Sequence, residues 1–166
     1  MLVEELDTPV PTVDLDAVER NIARMQGYCD EHGFVFRPHI KTHKVPEVAR
    51  MQLATGAVGI ACQKLGEAEV MADSGIDDIL VSFPLLGTAK VERLAALARR
   101  MRIAVVGDSA EVARSLSPAL AREGVEVPFL VECDPAFAGR ASRPPLRRPS
   151  SPGSPARCRA FASAGS

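Results

Sequence analysis

Apolar residues recur every three or four positions in five stretches of this chain, and short, nearly continuous apolar runs lie between those stretches. In AVERNIARMQGYCDEH, Val18, Ile22 and Met25 fall at helical spacing while Glu19, Arg20 and Arg24 take the other face, which predicts an amphipathic helix. It follows the turn-forming TPVP and the short apolar Thr12 to Leu15. Asp14 or Asp16 can cap its start and His32-Gly33 its end. Phe34, Val35 and Phe36 predict a strand that runs into a loop at Pro38, because aromatic and β-branched residues favour pleated backbone until a residue without an N–H interrupts the ladder. The rhythm then repeats. Helices are expected over 45–55, 65–74, 88–100 and 109–123, and strands over 57–63, 78–83, 102–106 and 127–132.

Helix and strand alternation of this length predicts a parallel α/β sheet. Gly56, Gly75 and Gly124 follow periodic runs and Gly87 precedes one, as helix ends require. The runs VGIAC, ILVSF, IAVV and FLVEC lack polar alternation, which suits strands covered on both faces. An open doubly wound sheet and a (β/α)8 barrel both satisfy this pattern. A complete barrel takes about 250 residues, and five predicted strands amount to little more than half of one.

The rhythm stops near Asp134. Residues 135–166 are built from Pro, Arg, Ser, Ala and Gly, with few large apolar side chains, a composition that cannot offset its ordering entropy. The expected organisation is therefore a folded unit over 1–134 and a Pro/Arg/Ser-rich tail over 135–166, either a disordered basic linker or the product of a reading-frame shift. Charge divides at the same place. Six arginines and no carboxylate follow Asp134, which leaves 14 basic against 21 acidic residues before it, so a net charge of −1 hides about −7 and +6.

Other classes are disfavoured. No apolar run approaches the ~18 residues of a membrane helix, and the acidic MLVEELDTP does not resemble a secretion signal, so a cytoplasmic location and no membrane partner are expected. Cys29, Cys62, Cys133 and Cys158 are scattered without a C-x-x-C pair and are expected to be reduced thiols. Gly56 and Gly59 do not form a dinucleotide fingerprint, since Gly59 falls inside a predicted strand. No nucleic-acid partner is indicated.

The chemistry concentrates in RPHIKTHK at 37–44. Lys41 is expected at the C-terminal end of the first strand, where barrel enzymes carry catalytic groups; a solvated loop lysine beside Lys44 is the plainer reading. His39 and His43 are four apart, but that spacing gathers metal ligands only on a helix, which Pro38 argues against. No metal site is assigned.

Asp7-Thr8-Pro9, Val13-Asp14-Leu15-Asp16 with Asn21, RPHIKTHK, and GAVGIACQKLGEAEVMADSGIDDIL at 56–80 form an ordered set. Together they resemble the D-threonine aldolase and D-serine dehydratase group of the alanine-racemase-like class of pyridoxal enzymes. The resemblance implies a partial pyridoxal-phosphate (β/α)8 barrel, truncated after about five strands, with pyridoxal 5'-phosphate at its mouth and Lys41 as the Schiff-base lysine. An amine is needed because the cofactor aldehyde must be held and exchanged for the substrate's amino group. Arg37, Lys44 and a protonated His43 are expected to disfavour the ammonium form by like charge. Gln63 is a weaker candidate to face the ring, and Arg140 loosely imitates an arginine that approaches the cofactor in the family. The group also uses a divalent metal, whose ligands would lie farther along a longer chain and have no counterpart here.

The implied function is a pyridoxal-phosphate-dependent lyase or aldolase of D-configured β-hydroxy amino acids, with a small D-amino acid as its partner. As written, the chain is expected to be an incomplete, inactive form; the alternatives are a non-catalytic cofactor-binding fragment, or an amino-acid racemase or D-serine dehydratase relative. An unfinished barrel leaves apolar surface that favours self-association or aggregation.

Overall fold

The computed structural model describes residues 5–133 of the chain. Five helices, α1 (Leu15–Glu31), α2 (Pro46–Thr55), α3 (Leu65–Asp73), α4 (Thr88–Ala98) and α5 (Ala110–Arg122), alternate with four strands, β1 (Ile60–Cys62), β2 (Asp78–Val81), β3 (Arg102–Gly107) and β4 (Phe129–Val131). The strands are parallel and lie in sequential order, β1-β2-β3-β4. That order decides between the two architectures: a doubly wound sheet reverses its strand order, whereas a barrel adds each strand beside the last. The structure is a segment of barrel wall.

Burial along the strands shows which face the helices cover. Ile79, Val81, Ile103 and Val105 are buried, while Leu80, Ala104 and Val106 between them are only half-buried. Side chains alternate across a strand, so the first set points into the helix layer and the second lines the inner face. The helices contribute Met71, Val91, Leu94, Leu97, Val112 and Leu116 to one continuous core with the outer face of the sheet. Each fully buried aliphatic side chain contributes about 1.5–3 kcal/mol. Over this core, Arg93 grips Glu69 with two 2.6 Å hydrogen bonds between α4 and α3. Strands covered on both faces were expected from their apolar sequences; in β2 and β3 the outer face is buried and the inner one only half-buried, while β1 is buried on both. At the β4 edge, Leu130 and Val131 are 39% and 58% exposed.

Two local expectations change. The predicted strand at Phe34–Phe36 is reduced to an isolated parallel bridge between His39 and Ala61. This segment acts mainly as an acceptor, with Val58 N–H donating to Phe36 O at 3.0 Å and Ala61 N–H to Pro38 O at 2.8 Å, and Pro38 has no N–H to return. The other change is in α1, which starts as expected with Asp14 Oδ1 accepting from Ala17 N–H at 3.0 Å. Its buried residues are Gln26 and Cys29, whereas Met25 is 45% exposed. The helix docks mainly on α2, and that single contact selects a stripe slightly rotated from the most apolar one.

Candidate active site

Lys41 does not end a strand. It sits in a 3-10 turn, Ile40–Thr42, immediately after the bridging residue His39. The turn is capped by that same histidine, whose Nδ1 accepts the Lys41 backbone N–H at 3.1 Å. Ile40 is fully buried and anchors the turn in the core, while Lys41 is exposed. Backbone and side chain are thus separated: the first is fixed and the second is free to reach outward.

The register places this turn at the C-terminal mouth of the wall. His39 pairs with Ala61, Ala61 with Leu80, and Leu80 with Ala104, a row that lies on the inner face because paired residues share a face. Two residues farther along come Gln63 after β1, Ser82 after β2, and Val106. Ala61 and Ala104 keep the row below shallow. Gln63 and Ser82 therefore stand at the rim above Ala61 and Leu80.

His39 links the turn to this rim. Its Nε2 lies 2.9 Å from Ser82 Oγ, and Ser82 Oγ–H donates to Cys62 O at 3.2 Å. Because Nδ1 accepts from Lys41, the neutral ring carries its proton on Nε2 and donates it to Ser82. Burial is the main cause holding the His39 pKa below its ordinary value of 6.5, with the Lys41 charge acting in the same direction. Glu67 and the Gln63 side chain oppose it more weakly.

The remaining cations of the segment are committed elsewhere. Arg37 Nη1 pairs with Asp78 Oδ1 at 2.7 Å and donates to Asp78 O at 3.2 Å. Asp78 begins β2 whereas Ser82 follows its end, so Arg37 lies at the opposite end of a strand about 10–13 Å long. Lys44, in a left-handed conformation at φ 55°, lies 3.4 Å from Glu67 Oε1. His43 accepts from Val45 N–H at 3.1 Å through Nδ1, and burial lowers its pKa. The positive field expected from Arg37, Lys44 and a protonated His43 is thus absorbed by Asp78, by Glu67 and by desolvation. Among the described residues, Lys41 has no ion pair.

Glu67 is the buried carboxylate of this region, 8% exposed, and its Oε2 accepts the Gln63 N–H at 2.8 Å. It braces the backbone at Gln63 from the first turn of α3. Cys62 is buried beside it, and desolvation followed by the Glu67 charge pushes its thiol up to about 12, which leaves it inert as a nucleophile at neutral pH. A depression of about 360 Å³ lined by Lys44, Lys64, Gly66, Glu67, Val70 and Met71 lies along α3. Lys41 is not among its lining residues.

Lys41 and Gln63 are therefore brought to one rim, while His39 and His43 have their Nδ1 atoms engaged separately by backbone N–H groups. No cluster of three or more His, Cys, Asp or Glu side chains suited to a metal occurs among the described residues. Arg140 and the tail over 135–166 lie outside the described residues. No described helix is long and apolar enough to cross a membrane. Sequence reasoning missed the roles of His39, Ser82 and Glu67. A signal was present for Ser82, which lies at the end of an apolar run where barrel strands carry polar groups.

Comparisons with known proteins bear on the fold. The sequence is 43% identical over 129 residues to D-threonine aldolase from an Arthrobacter species, covering 78% of this chain and 34% of that protein. It is 41% identical over 138 residues to 3-hydroxy-D-aspartate aldolase from Paracoccus denitrificans, covering 82% and 35%. The fold matches the crystal structure of D-threonine aldolase from Filomicrobium marinum with a TM-score of 0.82 at 41% identity, over 86% of this chain and 38% of that one. The chain thus spans about a third of the length of the relatives it matches. Residues 13–137 match the family described as alanine racemase, N-terminal domain, and this protein belongs to that family.

Proposed function

We propose that Lys41 is the lysine that takes the aldehyde of pyridoxal 5'-phosphate, in a lyase or aldolase acting on D-amino acids that carry a hydroxyl on the β-carbon. One observation carries the reading: an exposed amine with no counterion among the described residues stands on a capped turn at the C-terminal rim of a barrel wall. The names of the relatives supply the substrate class, since threonine and 3-hydroxyaspartate of D configuration share the β-hydroxyl. The lyase activity is proposed for a protein that carries this segment together with the rest of the relatives' length. Cofactor capture is proposed for the segment itself.

The residues present fit the aldehyde end of the group. Lys41 Nζ would hold the aldehyde as the neutral amine and, when not holding it, could accept or return a proton at the α-carbon. Gln63 and Ser82 follow it along the rim, after β1 and β2, and give the site a polar edge. Pyridoxal phosphate, when bound, supplies an electron sink for the pair released on breaking a bond at the α-carbon. Glu67 holds the Gln63 backbone in place.

The test uses the 166-residue chain with pyridoxal phosphate, borohydride and peptide mapping. Label is expected on Lys41, and in a protein that carries the rest of the relatives' length D-threonine should suppress it more than L-threonine at equal concentration by competing for the aldehyde. Label spread evenly over Lys44, Lys64 and Lys90 would overturn the lysine assignment. Equal suppression by the two enantiomers would overturn the substrate class.

A further inference from the structure

We infer that His39 is a positioning residue that ties Lys41 to the end of strand β2, one strand beyond its neighbour β1, through Nδ1 to the Lys41 backbone and through Nε2–H to Ser82. The inference rests on the proposed role of Lys41. Its basis is geometric. A three-residue 3-10 turn is a poor support for a reacting side chain, because such turns have weak internal hydrogen bonds. Here the turn has an anchor on each side: Ile40 is fully buried, and the ring of His39 accepts the Lys41 N–H at 3.1 Å.

The other ring nitrogen reaches Ser82 Oγ at 2.9 Å, and Ser82 is itself held by two bonds to Cys62 O, from its hydroxyl at 3.2 Å and from its N–H at 2.8 Å. The chain of contacts runs from Lys41 to His39, to Ser82 and to the end of β1. It spans the first three segments of the wall at one level. With both ring nitrogens engaged, any sideways movement of the turn breaks a hydrogen bond at one end or the other. Orientation of a reacting group by such a partner is a recurring device where loss of about an ångström of placement lowers reactivity.

Two near-isosteric substitutions separate the two ends. His39→Asn keeps an acceptor where Nδ1 lies and loses the link to Ser82. His39→Gln keeps a donor near Nε2 and loses the acceptor for Lys41. Hydrogen exchange at the Lys41 amide, measured on the 166-residue chain, should be about fivefold faster in His39→Gln than in the parent, as expected for loss of one ordinary hydrogen bond, and restored to within about twofold by His39→Asn. The ratio of borohydride-fixed pyridoxal phosphate on Lys41 to that on Lys44 and Lys64 should fall by a similar factor in His39→Gln. Parental amide protection together with a parental ratio in a folded His39→Gln chain would overturn the inference.

Should His39→Gln unfold, as circular dichroism would show, Ser82→Ala takes its place. It removes only the outer anchor of the ring, and an unchanged labelling ratio there also overturns the inference. The two readings fail separately. If the parent chain labels Lys41 no more than Lys44, the cofactor assignment falls, while the exchange difference between His39→Asn and His39→Gln still decides whether His39 positions the turn.

Discussion

Lys41 and His39 are joined by a 3.1 Å hydrogen bond from the lysine backbone N–H to the imidazole Nδ1, so the exposed amine is carried on backbone that its own neighbour holds. The Lys41 side chain makes no ion pair among the described residues, and truncating it should leave the fold intact. Lys41→Ala is expected to abolish the fixed pyridoxal label at that position while changing unfolding free energy by no more than about 0.5 kcal/mol, as for surface positions generally. Urea unfolding followed by circular dichroism measures the second quantity. A loss of several kcal/mol would mean that the side chain is structural.

Glu67 should behave in the opposite way. It is 8% exposed, accepts the Gln63 N–H at 2.8 Å and faces Lys44 at 3.4 Å. Glu67→Ala leaves that N–H without its partner, and the expected cost is about 1–3 kcal/mol. Glu67→Gln, which retains an acceptor, should recover most of it. The same urea series compares them, and equal losses in both variants would place the effect in charge rather than in the hydrogen bond.

Two glycines separate steric need from helix propensity. A Cβ at Gly59 would fall on the Arg37 guanidinium and 2.7 Å from Asp78 O, so Gly59→Ala must displace the arginine from its carboxylate and should destabilise by about 1–3 kcal/mol. Gly27 lies inside α1, and a methyl group added there would meet no atom within 4 Å. Gly27→Ala should stabilise by about 0.5–1 kcal/mol. Thermal midpoints of the two variants should move in opposite directions.

The pH dependence follows from His39 and His43, whose pKa values both lie below 6.5 in the folded chain, in each case chiefly through burial. The folded state favours neutral rings, so below 6.5 the unfolded chain binds more protons. This stability is fully present above pH 6.5 and is lost as pH falls through the folded pKa values. Glu69, held low chiefly by its hydrogen bond to Arg93, acts in a lower window, below its ordinary 4.5. The urea midpoint should therefore fall between pH 7.5 and 5.5, and less so in a His39→Gln/His43→Gln chain. A midpoint that rose over that range would contradict the assignment of neutral rings.

Periodicity along the chain determined the five helices, the later strands and the parallel α/β class, because helix and strand repeats are local properties of side-chain placement. The segment 37–44 likewise marked Lys41 through its residue types and order alone. Tertiary structure decided what local pattern leaves open. The order β1-β2-β3-β4 separated barrel wall from doubly wound sheet, a choice that depends on which side each crossover falls. It also reduced Phe34–Phe36 to the approach to a single bridge at His39, since a strand exists only where a neighbour's hydrogen-bonding groups meet it, and Pro38 offers no N–H. Arg37 and Lys41 are four residues apart in sequence, yet Arg37 is held by Asp78 at the start of β2 while the turn bearing Lys41 is tied through His39 to Ser82 just past its end. No spacing in the sequence could show that, because the partners that fix each end arrive from residues about 40 positions away.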